Sequence, residues 1–106
     1  MAYVEKVVEI SAADTDTNIL TIPANAIGHL VQIEIRNPNS SSARVRLWDS
    51  FTDTDGTSQR VLKLDWDVGA STTEIVKEGF DKTVFGTLIA QSSAAGVVIY
   101  VRVLLE

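Results

Sequence analysis

The chain alternates. In "GVVIYVRVLLE" Val97, Ile99, Val101, Val103 and Leu105 fall on one side of an extended backbone, and Val98, Tyr100, Arg102 and Leu104 on the other. Successive side chains of a strand point to opposite faces, so a period of two marks a strand with a buried face and excludes an amphipathic helix. "HLVQIEIR" repeats the pattern, with Val31, Ile33 and Ile35 against Gln32, Glu34 and Arg36, and so does "ARVRLWD", with Ala43, Val45 and Leu47 against Arg44, Arg46 and Trp48. Between these two runs lies "NPNSSS", whose Pro38 and asparagines break a ladder, so the pair reads as a hairpin. "RVLKLDWD" sets Leu62, Leu64 and Trp66 opposite Val61, Lys63, Asp65 and Asp67.

"YVEKVVEI", "NILTI", "TTEIVK" and "TVFGTLIA" complete a set of about eight strands, at the spacing of about 8–12 residues typical of sandwiches and barrels. No segment carries a helical period. With 106 residues the chain is expected to form one domain, 1–106, and to bury roughly two-thirds of its unfolded surface. The fold class expected is all-β, an antiparallel β-sandwich of jelly-roll type. An immunoglobulin-like Greek key is the alternative, although the Cys-Trp-Cys signature of antibody domains is missing.

Charge and composition narrow the function. Nine Lys and Arg against 14 Asp and Glu leave a net charge of −5, and the cations are scattered singly, so no phosphate-binding patch and no nucleic-acid partner are expected. There is no Cys, which removes disulfides and thiolate metal sites and leaves packing or neighbouring subunits as sources of stability. No run is long and apolar enough for a membrane span, and the charged N-terminal stretch does not read as a signal peptide.

The polar clusters offer little chemistry. "DTDG" resembles the middle of a calcium loop, but with Gly56 at position 6 Asp53 and Asp55 fall at positions 3 and 5 while Phe51 and Leu62 occupy positions 1 and 12, where ligands are needed. A tight turn is the better reading, and no cofactor or metal is expected. Asp14 and Asp16 belong to a loop that strict alternation puts at the opposite end of a sandwich, so any calcium site would recruit Glu78 and Asp81 instead. His29 is the only histidine, "GFDKTVFG" lacks the strand-turn-helix context of a phosphate loop, and the carboxylates Asp65 and Asp67 flank Trp66 on one strand face with nothing to position a sugar. An enzyme is not expected.

The positive signal is the last strand. Its second face, Val98, Tyr100, Arg102 and Leu104, is too apolar for solvent, and these four are the candidate interface residues; the other reading is a central strand flanked by its own chain. "ILTIPANAIGHLVQIEIRNPNSSSARVRLWDS" followed by "TVFGTLIAQSSAAGVVIYVRVLL" resembles the small β-sandwich virion proteins of tailed bacteriophages and related viruses, head decoration proteins especially. The resemblance covers about residues 19 to 105 as a style of short strands and small polar turns. It implies a non-catalytic homo-oligomer, a trimer being favoured, that binds a major capsid or other virion protein and resides in a virion assembled in the host cytoplasm. The alternative is a carbohydrate- or ligand-binding sandwich with Trp48, Trp66 and Tyr100 as contacts.

Overall fold

A computed structural model describes residues 2–78, 80 and 82–106. Nine strands are formed among them: β1 Ala2–Glu9, β2 Thr17–Thr21, β3 Gly28–Asn37, β4 Ala43–Thr52, β5 Ser58–Val68, β6 Thr72–Val76, β7 Thr83–Val84, β8 Thr87–Ser92 and β9 Val98–Leu105. They make two antiparallel sheets, one in the order β1-β9-β3-β6 with β7 beside β3, the other β2-β8-β4-β5. We call these the A and B sheets. The pairings are nested, β1 with β9, β2 with β8, β3 with β6 and β4 with β5, as if one long hairpin had been rolled over a core. That is the jelly-roll arrangement, the first of the two sandwich topologies expected.

The core is what the alternation predicts: Ile33 and Ile35 of β3, Val45 and Leu47 of β4, and Ile99, Val101 and Val103 of β9 are all buried, with Leu88 and Ala90 of β8 among them. Two strands depart from strict alternation. In β3 Leu30 lies opposite Val103 and Gln32 opposite Arg102, so Val31 is the extra residue of a bulge and is exposed rather than buried with Ile33. In β5 Leu64 faces Leu47 while Leu62 faces Trp48, and the extra residue is Lys63. The bulge leaves Lys63 buried and Leu62 exposed, against the expected order, while Leu64 and Trp66 keep the inner side expected of them.

Two connections also differ from the expectation. The runs read as a hairpin, β3 and β4, lie in opposite sheets. The cause is Asn37, 1% exposed, whose amide donates to the Ser41, Val68 and Gly69 carbonyls while its oxygen accepts from the Asn39 amide. These bonds hold an arch between the sheets in place of a flat turn, and they satisfy backbone groups that the crossing removes from any ladder. The run "TVFGTLIA" is divided at Phe85-Gly86, with β7 in the A sheet and β8 in the B sheet. There the fully buried Asp49 carboxylate accepts the Phe85 and Gly86 amides at 2.8 and 2.9 Å. A Cβ on Gly86 would meet the Ser50 carbonyl oxygen, so only glycine fits the crossing.

Candidate functional site

The outer face of the A sheet is organised by register. β9 lies between β1 and β3, and the outward residues form four rows: Tyr3, Leu104 and His29; Glu5, Arg102 and Gln32; Val7, Tyr100, Glu34 and Ile75; Glu9, Val98, Arg36 and Thr73. The four candidate interface residues therefore stand in one central column, each half-buried by its lateral neighbours. β9 is thus a central strand flanked by the N-terminal strand, as the second reading had it, yet its face is not closed. Val7 is 63% exposed, Ile75 56% and Tyr3 55%.

Polar groups on this face are loosely engaged. Arg102 lies with its guanidinium carbon 4.2 Å from the centroid of the Tyr3 ring, and its Nε is 3.8 Å from Glu5 Oε1, too long for a hydrogen bond. Burial, and next a hydrogen bond with Glu5, raise the Tyr100 phenol above its ordinary pKa. Arg36 has no carboxylate partner among the described residues. Beside it the surface dips twice. One depression of about 200 Å³ is lined by Glu34, Arg36, Thr73, Val98 and Tyr100, and a second of about 210 Å³ by Arg36, Asn37, Pro38, Ser71, Thr72 and Thr73. Arg36 and Thr73 line both.

The three aromatics of a binding platform are not brought together. Trp48 is on the outer face of the B sheet under the Arg60 guanidinium, 4.9 Å from its ring centroid. Trp66 is turned inward against the core, and Tyr100 is on the outer face of the A sheet. Arg60 continues past Trp48 to Asp16, which accepts from its two terminal nitrogens at 3.0 and 2.9 Å and from Gln91 at 2.6 Å.

The acidic residues are engaged locally. Asp53 Oδ1 accepts the amides of Asp55 and Thr57 and its Oδ2 accepts Gln59 Nε2, while Gly56 takes a φ of 80°. Hydrogen bonding, from Gln59 above all, holds the Asp53 carboxyl below its usual range. Asp14 and Asp16 lead into the Thr17 end of β2, and register puts Asp53 and Asp55 beyond its Thr21 end, so the two clusters are at opposite ends of the sandwich. Glu78 follows β6 on the Asp53 side, and Asp81 lies outside the described residues. Among the described residues no three His, Cys, Asp or Glu side chains gather where a metal could be held. Asp65 is taken by Arg44 through two hydrogen bonds of 2.7 Å and approached by Arg46 at 3.5 Å, and His29 Nε2 is 3.4 Å from Glu106.

Sequence reasoning singled out the β9 column but not Tyr3, Val7, Ile75 or Arg36 beside it. Parity within β1 and β6 would have named those residues once the strand order was known. Asp49 carried no sequence signal, because a buried carboxylate and a solvated one read alike in an alternating run.

No protein-family model matches the sequence, and no curated protein matches it. Solved structures share its fold. PirA, known from a crystal structure, superposes with a TM-score of 0.54 at 10% identity, over 98% of this chain and 93% of that one. The CBM22-1 and GH10 modules of the Clostridium thermocellum endo-1,4-β-D-xylanase 10B, complexed with xylohexaose, match with a TM-score of 0.52 at 13% identity, over 98% of this chain and 24% of the xylanase chain. The chain thus spans about a quarter of that protein, and identities this low speak to the β-sandwich fold alone.

Proposed function

We propose that the protein is a non-catalytic assembly protein that works through the outer face of its A sheet, as a homo-oligomer, a trimer being favoured, attached to the shell of a viral particle. The observation that carries this reading is the open row at the middle of that face, in which Val7, Tyr100 and Ile75 are left uncovered around a single carboxylate, Glu34. Four strands at ~4.8 Å spacing and eight residues at ~3.3 Å rise present roughly 500 Å² in projection, the scale on which a standard interface takes ~800 Å² of accessible surface from each partner. The virion assignment draws on the resemblance in strand and turn style and on the jelly-roll pairing, a fold that capsid domains share with lectins and cupins.

Mass in solution by light scattering, with a search for the protein in purified particles by mass spectrometry, tests the reading. The wild type is expected to be oligomeric and particle-bound, and Tyr100→Asp and Leu104→Asp to weaken both. A wild type that stays monomeric at high concentration and binds no particle overturns it.

A second reading, a ligand-binding sandwich, is favoured by a separate observation, the paired depressions around Arg36. A structural neighbour complexed with xylohexaose shows that a chain containing this fold serves alongside sugar chemistry. Under this reading the ligand lies across β9, β3 and β6, and not on Trp48 or Trp66.

A further inference from the structure

We propose that the two depressions form one groove that binds a carboxylate-bearing oligosaccharide, with Arg36 as the residue that holds the carboxylate. This rests on the second, ligand-binding reading and names its ligand class. Neither depression alone reaches the ~300–1,000 Å³ of ordinary ligand clefts, so a ligand that uses both has to be an extended one that passes over Arg36 and Thr73.

The lining dictates the chemistry. Arg36 is exposed, and no carboxylate among the described residues partners it, although the B sheet pairs each of its arginines Arg44, Arg46 and Arg60 with an acid. A guanidinium presents a planar fork of donors that fits a carboxylate in two parallel hydrogen bonds. On one side of it Tyr100 offers an aromatic wall, suited to the apolar face of a pyranose ring, and Glu34 an acceptor for a sugar hydroxyl. On the other side the rim carries the hydroxyls of Ser71, Thr72 and Thr73, facing Asn37 and Pro38. Thr72 Oγ1 donates to the Gly69 carbonyl at 2.7 Å and Ser71 Oγ to that of Asn39 at 3.4 Å, which fixes both oxygens with lone pairs free to accept. Ser71 is also held at a φ of 53°, a left-handed conformation in which serine is uncommon, so the rim is shaped at some conformational cost.

A glycan fits better than an acidic peptide. The groove is shallow and lies on a sheet face, and its polar groups, Glu34, Arg36 and the hydroxyls of Ser71, Thr72 and Thr73, are spread along its length as the hydroxyls of a sugar chain are.

The test is titration of the full chain, by calorimetry at low salt, with tetragalacturonate, xylohexaose and a tetraglutamate peptide, for the wild type, Arg36→Ala, Thr73→Val and, on the opposite sheet, Leu62→Asp. Binding of tetragalacturonate at least tenfold tighter than of the other two, lost by about tenfold or more in Arg36→Ala, weakened in Thr73→Val and kept in Leu62→Asp, supports the proposal. Unchanged melting of Arg36→Ala shows that the loss is not unfolding. Equal binding of xylohexaose, or full retention in Arg36→Ala, overturns the carboxylate assignment while leaving a ligand-binding sandwich standing. Tighter binding of the peptide overturns the glycan assignment, and absence of binding by all three overturns both the proposal and the reading beneath it.

Discussion

The two outer faces of the sandwich are built from the same alternation and end in different states. On the B sheet each outward arginine meets a carboxylate, Arg44 and Arg46 at Asp65 and Arg60 at Asp16, and Arg60 also lies over Trp48. The A sheet leaves Arg36 without an acid among the described residues, sets Arg102 over the Tyr3 ring but 3.8 Å from Glu5, and exposes Val7, Ile75 and Tyr3. A face whose charges and large aromatics answer one another gains little from a partner, since docking would first have to break those pairs. A face with unanswered groups has more to gain. On the proposed reading the B face serves stability and the A face binding, and each prediction below tests that division.

The largest effect is expected in association. The row already holds Glu34, and a further carboxylate desolvated beside it opposes assembly strongly, so Val7→Asp or Tyr100→Asp should weaken self-association by on the order of 100-fold, whereas Leu62→Asp, at an exposed leucine on the B face, should leave the mass unchanged. Sedimentation over a concentration series reads both. Equal weakening by the B-face substitution would erase the contrast between the faces.

The next effect is on stability and runs the other way. Arg60→Ala removes a two-point hydrogen bond to Asp16 and a cation held over Trp48, and it frees the β1–β2 connection from β5. A loss of about 1 kcal/mol is expected, a fall in Tm of roughly 4–8 °C for a domain of this size. Arg36→Ala on the A face should stay within about 0.5 kcal/mol. Thermal melts of the two variants side by side decide the matter, and an Arg36→Ala variant as unstable as Arg60→Ala would mean that the A face is also a structural surface.

How far these faces could be foreseen depends on what alternation encodes. Along Val97 and β9 parity separated Val97, Ile99, Val101 and Val103 from Tyr100 and Arg102, because β9 pairs with β1 in unbroken register and the one bulge in its pairing with β3 lies in β3. In β3 and β5 one inserted residue, Val31 or Lys63, shifted the parity, and the chain shows no glycine or proline there to announce it. Sheet membership was less legible. A turn such as "NPNSSS" serves a hairpin or an arch equally well, and the choice rests on Asn37, whose three carbonyl partners come from residues up to 32 positions away. The groove at Arg36 was hidden for the same reason, since it is assembled by β9, β3 and the β5–β6 turn. Trp48, Trp66 and Tyr100 looked like a set in the sequence and fell on three surfaces, because residue type does not carry strand order.

Response to pH should separate the faces further. Asp16 and Asp65 on the B face, with Asp53 in the β4–β5 turn, have carboxyls held below the usual 3.8, chiefly by hydrogen bonds from Arg60, Arg44 and Gln59 respectively. A depressed carboxyl contributes stability that is present above the unfolded value and lost as the pH falls through the folded one, so the acid limb below about pH 4 belongs to these residues. Tyr100 on the A face is raised above 10.0 by burial and by Glu5. Its contribution is present below pH 10 and lost as the pH rises through the folded value. Denaturant midpoints measured across pH should therefore show a shallower acid limb in Asp65→Asn and a shallower alkaline limb in Tyr100→Phe, with each substitution leaving the opposite limb alone.

The smallest effect expected is none, and it concerns the acidic turn at the end of the B sheet. Asp53 has both oxygens committed, Oδ1 to the amides of Asp55 and Thr57 and Oδ2 to Gln59, so a cation there would have to displace hydrogen bonds that already shape the turn. A calcium site also needs six or more oxygens, and register sends Asp14 and Asp16 to the far end of the sandwich. A ligand that binds only the folded state raises stability by RT ln(1 + [L]/Kd), so even a site with a Kd of ~1 mM would add about 1.4 kcal/mol in 10 mM calcium, several degrees in Tm. Melts in 10 mM calcium and in chelator should coincide, and Asp53→Asn should not alter that. A rise of several degrees that the chelator reverses would show that the turn recruits further ligands, Glu78 and Asp81 first, and would move one binding function from the A face to this end of the molecule.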